Sequence, residues 1–266
     1  MSECFVDLER YPILDLESAG GRALIADCRR QLAETGACQL PDFIDPAAVE
    51  RMAAEAAALV PQAHLCQGHA TAYLEIPDMS LPSEHARRLH GPSSSQVIAY
   101  DLVPRSHALR QLYEWEPLME FLAAALDVPR LYRYADPLGA LNVVAMGDGE
   151  ELWWHFDQVD FVTSLALQSS EAGGEFSYAP RIRSSEDENY ETVRAVLAGE
   201  AAIDRTIAME PGTMLLFQGR HSLHRVKRIH GTRDRLVALL AYDTKPGTDS
   251  TELLKLGRYG RTTARA

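Results

Sequence analysis

Basic residues are in short supply. The chain carries 26 lysines and arginines against 38 aspartates and glutamates, a net charge of -12 and a pI near 5.2. Nucleic acid and anionic membrane surfaces attract basic proteins, so neither is an expected partner, and a small-molecule substrate is expected instead. Long apolar runs are missing as well: no stretch reaches the about 18 residues that a membrane-spanning helix needs. The start, Met1 to Glu9, has neither the basic flank nor the apolar centre of a signal peptide, so a cytoplasmic protein is expected. Cysteine is scarce and scattered. Cys4, Cys28, Cys38 and Cys66 show no C-x-x-C pairing and fall in the first quarter of the chain, which predicts reduced thiols and excludes a cysteine metal site. Internal repeats, low-complexity runs and an interdomain linker are also absent. What remains is 266 residues, 46% hydrophobic, enough for one sizeable core.

The hydrophobic pattern changes character near Pro129. Before it, three-to-four spacing predicts helices over 14–34, ended by Gly36, over 46–59 with Asp45 as N-cap and Pro46 at the first position, and over 106–126. Cys38 to Leu40 reads as a short strand. The segment 61–95, punctuated by four prolines and Gly91, reads as irregular cover with one short helix over 84–89. After Pro129, short runs rich in β-branched and aromatic residues alternate with glycine turns. They predict strands at 131–134, 141–146, 160–168, 174–178, 205–209, 213–218, 222–226 and 236–242, interrupted by a polar helix within 184–199. The expectation is an α+β protein: a mainly helical part and lid over 1–129, a β-sandwich or barrel core over 130–248, and a tail over 249–266 that docks as a short helix or frays.

Within the β-rich half, Trp153-Trp154-His155-Phe156-Asp157 places an imidazole and a carboxylate two residues apart, which in a strand means one face. A second imidazole comes from Gly219-Arg220-His221-Ser222-Leu223-His224-Arg225-Val226. His221 and His224 differ by three, so alternation turns one of them inward, and His224 is the choice. Two histidines and one carboxylate, with other positions open, form the facial triad of non-haem Fe(II) oxygenases. The carboxylate offsets part of the metal charge and the imidazoles suit a borderline metal. Arginines follow in Gly231-Thr232-Arg233-Asp234-Arg235-Leu236.

His155-Phe156-Asp157, His224 and Gly231-x-Arg233 before an apolar strand together resemble the double-stranded β-helix, cupin-like jelly-roll iron(II)/2-oxoglutarate oxygenases. Further segments, among them Asp136-Pro137-Leu138-Gly139, Gly173-Gly174-Glu175-Phe176, Glu188-Asn189-Tyr190 and Arg258-Tyr259-Gly260-Arg261, are similar to the branch of free amino-acid halogenases and hydroxylases. The resemblance implies Fe(II), 2-oxoglutarate and dioxygen as cofactor and co-substrates, with His155, Asp157 and His224 as metal ligands. It also implies an arginine on the far carboxylate of 2-oxoglutarate, Arg233 by position and Arg235 in reserve. Halogenases of that branch carry a small residue where this chain has Asp157, so hydroxylation of a small polar substrate, a free amino acid, is implied. The rivals are a halogenase, a metal enzyme without 2-oxoglutarate and a non-catalytic cupin-like binder of metal or small ligand. Asn142 is a further candidate for the co-substrate, and Asp136, Trp154, Gln158 and Asp160 are candidates for the substrate. Packing or surface roles compete at each of them.

Overall fold

Apolar alternation in the second half of the chain builds two antiparallel sheets, and the helices of the first half cover one of them. The computed structural model describes residues 5–201 and 205–265. In chain order the elements are α1 (Ala19–Thr35), β1 (Ala37–Leu40), α2 (Pro46–Ala57), β2 (His64–Thr71), β3 (His90–Ile98), α3 (Ala108–Glu114), α4 (Glu116–Ala125), β4 (Tyr132–Arg133), β5 (Leu141–Met146), β6 (Leu152–His155), β7 (Val162–Gln168), β8 (Ala172–Gly173), β9 (Phe176–Ala179), α5 (Tyr190–Leu197), β10 (Arg205–Ile207), β11 (Met214–Phe217), β12 (Leu223–Val226), β13 (Ile229–His230), β14 (Arg235–Leu240), β15 (Tyr242–Asp243) and α6 (Glu252–Tyr259). The major sheet has the order β1-β11-β7-β14-β5-β3-β2 and the minor sheet β10-β9-β12-β6.

Period-two alternation decides what each face carries. On β14, Leu236, Ala238 and Leu240 join the main core beneath the helices, with Val143 and Ala145 of β5 and Leu32, Met52, Leu112 and Phe121 of the helical layer. The opposite face of the same strands turns toward the minor sheet, where Val144 and Met146 pack against Val226, Ile229, Leu152 and Phe176. The minor sheet is covered on its outer side by α5 and by the 72–89 segment, through Trp154, Phe156, Val193, Val196, Ala72 and Ala86. Both sheets therefore have closed outer faces, and the space between them holds the polar exceptions.

Two expectations need correction, and one open alternative, the tail, is resolved. The 61–95 segment contributes β2, an edge strand of the major sheet, and most of its neighbour β3, paired from His64↔Val97 to Thr71↔His90, and only turns occur over 84–89. The helix expected over 106–126 is two, α3 and α4, because Trp115 is extended and Pro117 starts a new helix. Inside a continuous helix Pro117 would lack the N–H for the bond back to Tyr113, so the break costs less than the kink. The tail does not fray: α6 docks on β2 and β3, N-capped by Thr251 and ended by Gly260 in the left-handed conformation. Cys28, Cys38 and Cys66 are free thiols, as expected, while Cys4 lies outside the described residues. No helix among the described residues is long and apolar enough to cross a membrane.

Candidate active site

Strands β6 and β12 are antiparallel neighbours with His155 directly opposite His224. The two rings lie 4.2 Å apart between centroids, tilted by 53°. Each ring is oriented by its own strand: His155 Nδ1 is 2.8 Å from Trp153 O and His224 Nδ1 is 2.9 Å from Ser222 O. A carbonyl oxygen only accepts, so both Nδ1 atoms carry a proton and each Nε2 is the atom left to serve as a ligand. Asp157 follows just past the end of β6. Its backbone N–H donates to Gly219 O at 3.1 Å, and its Oδ1 stands 3.5 Å from His224 Nε2. One ligand atom from each of His155, Asp157 and His224 lies within 4.8 Å of the others.

The electrostatics suit a cation. Burial, reinforced by the neighbouring His224, pushes the His155 imidazole down to about 4, against the opposing pull of Asp157, which leaves it neutral near pH 7. Burial alone would raise the Asp157 carboxyl, but an imidazolium at His224, through its charge and hydrogen bond, and then His155 would hold it below its usual value. An Nε2 lone pair and a carboxylate oxygen facing each other at 3.5 Å repel unless a proton or a metal ion lies between them. The site also needs room: a Cβ on Gly219 would sit 1.7 Å from Asp157 Oδ2, so glycine is what lets the carboxylate reach this position. Phe217 and Phe176 flank the His224 ring at 4.9 and 5.5 Å, an apolar wall on that side.

The two candidate arginines separate sharply. Arg233 is exposed on the loop before β14, donates to Ser170 O at 3.3 Å, and lines an open groove of about 480 Å³ with Ala57, Val60 and Pro61 of the helical layer. It does not face the space between the sheets. Arg235 is the first residue of β14, only 7% exposed, and shares the inner face with Val237 and Leu239. Burial lowers its guanidinium to about 10, and among the described residues it has no ion pair or side-chain hydrogen bond. A buried cation without a counter-charge is costly and calls for an anion.

The remaining candidates scatter. Asn142 is on the inner face of β5, with its Oδ1 accepting from Arg258 Nη2 at 3.4 Å. Trp154 points to the outer face of β6, beneath Arg225 at 4.4 Å, because it alternates with His155. Gln158 and Asp160 are exposed and tied to Arg220, through the Gln158 backbone oxygen and the Asp160 carboxylate, outside the cluster. Asp136 is fully buried. Its Oδ1 accepts from Leu138 N at 2.8 Å and faces Lys255 Nζ at 3.7 Å, so it is engaged by α6. His221 lies outside the triad. Arg258 was not singled out from the sequence, although the segment that holds it was; a docked helix is needed before its direction can be read.

The family model for Halogenase D matches residues 21–253. Among solved structures, the chain is similar to an oxidoreductase of the 2OG-Fe(II) oxygenase family from Burkholderia pseudomallei, at 16% identity and a TM-score of 0.53 over 84% of this chain and 92% of that one. It is also similar to a Pseudomonas putida prolyl-4-hydroxylase, at 15% identity and 0.51 over 81% and 97%. HygX from Streptomyces hygroscopicus, solved with nickel, 2-oxoglutarate and hygromycin B bound, aligns at 13% identity and 0.53 over 82% and 87%. No curated protein matches the chain in sequence.

Proposed function

The chain belongs to the Halogenase D family within the iron(II)/2-oxoglutarate oxygenase superfamily, and from that premise we propose that it hydroxylates an unactivated C–H bond of a free amino acid. The observation that carries the reading is the pairing of two open imidazole Nε2 atoms and Asp157 with a buried Arg235 that has no ion pair or side-chain hydrogen bond among the described residues. When bound, Fe(II) with 2-oxoglutarate and dioxygen supplies the oxidising chemistry: one oxygen atom goes to the substrate carbon, the other to succinate, and carbon dioxide leaves.

The chain's own residues do the positioning. His155, Asp157 and His224 hold the metal, and the two Nδ1 bonds to Trp153 O and Ser222 O keep the rings aimed without a cost at binding. Arg235 holds the far carboxylate of 2-oxoglutarate. A guanidinium fork matches a carboxylate in two parallel bonds, and in this apolar setting the pair is strengthened by exclusion of water. Val237 and Leu239 on the same face of β14, with Phe176 opposite, help to keep that space dry.

The family description favours a second reading, halogenation. Asp157 argues against it, since a carboxylate in the third protein position fills the place that a halide would need. Aerobic incubation of the Fe(II)-loaded protein with 2-oxoglutarate, chloride and a panel of free L-amino acids separates the two by product mass. One amino acid gaining a single oxygen atom, with matching succinate, is the expected result. A chlorinated product, or no succinate with any amino acid, contradicts it.

A further inference from the structure

The C-terminal helix brings a second arginine, Arg258, toward the inner face, and that residue lies beyond those the family match covers. On α6, Lys255, Arg258 and Tyr259 are three and four residues apart and share the side turned to the sheet, while Leu253, Leu254 and Leu256 are exposed. The helix is pinned at its middle and just past its C-terminal end. Lys255 pairs with Asp249 at 2.5 Å and faces Asp136, and Arg261 forms a two-pronged pair with Asp101 at 2.7 and 2.8 Å, to which Arg265 N also donates.

Arg258 sits between these anchors and differs from them. Lys255 and Arg261 are matched by carboxylates; Arg258 is half-buried and, among the described residues, meets no carboxylate. Its Nη2 reaches Asn142 Oδ1 at 3.4 Å, a long bond to a neutral amide. That contact turns the Asn142 Nδ2 away from Arg258, and Nδ2 also has no acceptor among the described residues.

Its level in the sandwich is different from that of Arg235. In the register of β14 with β5, Arg235 lies opposite Met146, and Leu239 lies opposite Asn142. Four residues along a strand is about 13 Å. Two guanidiniums that meet no carboxylate among the described residues therefore approach the inner face at separate levels, and one 2-oxoglutarate, already holding the metal by its other end, is too short to use both.

We propose that Arg258, helped by the Asn142 Nδ2, binds a carboxylate of the primary substrate, so that α6 is the element that selects it. This rests on the oxygenase reading above and adds to it the residues that hold the substrate's carboxylate. A guanidinium that meets no carboxylate, beside an amide donor with no acceptor among the described residues, fits a planar anion, and the carboxylate held there sets the distance between its carbon chain and the triad.

The test is calorimetric, on anaerobic protein loaded with Fe(II) and 2-oxoglutarate, so that binding is read without turnover. The twenty common L-amino acids are titrated, then the carboxamide of each one that binds. The expected result is at least one amino acid that binds about tenfold or more tightly than its carboxamide. Arg258→Gln removes that preference while leaving carboxamide binding unchanged, Arg258→Lys keeps part of it, and 2-oxoglutarate affinity is unaffected in both variants. The inference is overturned if acid and carboxamide bind alike, if Arg258→Gln weakens both equally, if it weakens 2-oxoglutarate instead, or if no amino acid binds. A wild-type protein that takes up no Fe(II) and 2-oxoglutarate would defeat the oxygenase reading itself, which is a distinguishable failure.

Discussion

Gly219 shows how one side chain's absence shapes the site. Its N-terminal neighbour strand β11 ends at Phe217, and its carbonyl receives the Asp157 N–H, so any Cβ there collides with the Asp157 carboxylate. Gly219→Ala is expected to leave the fold intact and to weaken metal binding by about 10- to 100-fold, the range found when the surroundings of a ligand are disturbed. Competition with a chelating dye measures it; an unchanged affinity in a folded variant would mean that Asp157 is not a ligand. The residue scale is also where the sequence was most and least readable. His-x-Asp could be read because two-residue spacing and strand alternation are rigid rules. The choice between Arg233 and Arg235 could not, because it depends on where β14 begins, and Gly231 and Asp234 delay that start until Arg235. Trp154 was misassigned for a related reason: adjacent residues on a strand face opposite ways, and being next to His155 places it outside.

At the scale of the element, α6 depends on a charge pair at its middle. Asp136 is buried completely and Lys255 nearly so, and the Asp136 Oδ2 has no hydrogen-bond partner among the described residues. Lys255→Met keeps most of the apolar stem but strands the Asp136 carboxylate. Breaking a buried pair from one side costs about 3 kcal/mol. Urea unfolding followed by circular dichroism should show a loss of that order; a loss near zero would mean that Asp136 is solvated or protonated once the helix lifts. The helices with clear caps, α1 to Gly36 and α2 from Asp45-Pro46, were legible because each end carries its own chemical signal. β2 and β3 were not. Their sequence, rich in histidine, serine, glycine and one proline, gives no apolar alternation, since much of β2 is exposed and its order comes from pairing with β3. Propensity is a weak guide where the neighbouring strand supplies the hydrogen bonds.

Across the whole molecule, the outer face of each sheet is closed by apolar cover, and the titratable exceptions are gathered between the sheets. Arg235 with Asn142 on the major sheet faces His155 and His224 on the minor one, and α6 adds Arg258 at the edge. This division explains why the jelly-roll class was legible from the strand-rich second half alone, while the site's outer boundary was not: it is built by a helix from the far end of the chain. Ligands that bind only the folded state should stabilise the molecule as a unit. At about 100 times their dissociation constant, a single bound ligand adds about 2.7 kcal/mol. Fe(II) and 2-oxoglutarate added together under argon should therefore raise the melting temperature by several degrees, and His155→Ala should abolish the rise; an equal rise in that variant would place the metal elsewhere.

The most direct measurement of the central claim is an anaerobic optical titration of Fe(II)-loaded protein with 2-oxoglutarate, comparing wild type with Asp157→Ala, His224→Ala, Arg235→Gln and Arg233→Gln. A charge-transfer band that saturates in wild type and is lost in Asp157→Ala and His224→Ala is predicted. Arg235→Gln should weaken 2-oxoglutarate by about tenfold or more, roughly 1.4 kcal/mol, and Arg233→Gln should leave it nearly unchanged. No band in wild type, or a larger loss from Arg233→Gln than from Arg235→Gln, would contradict the account.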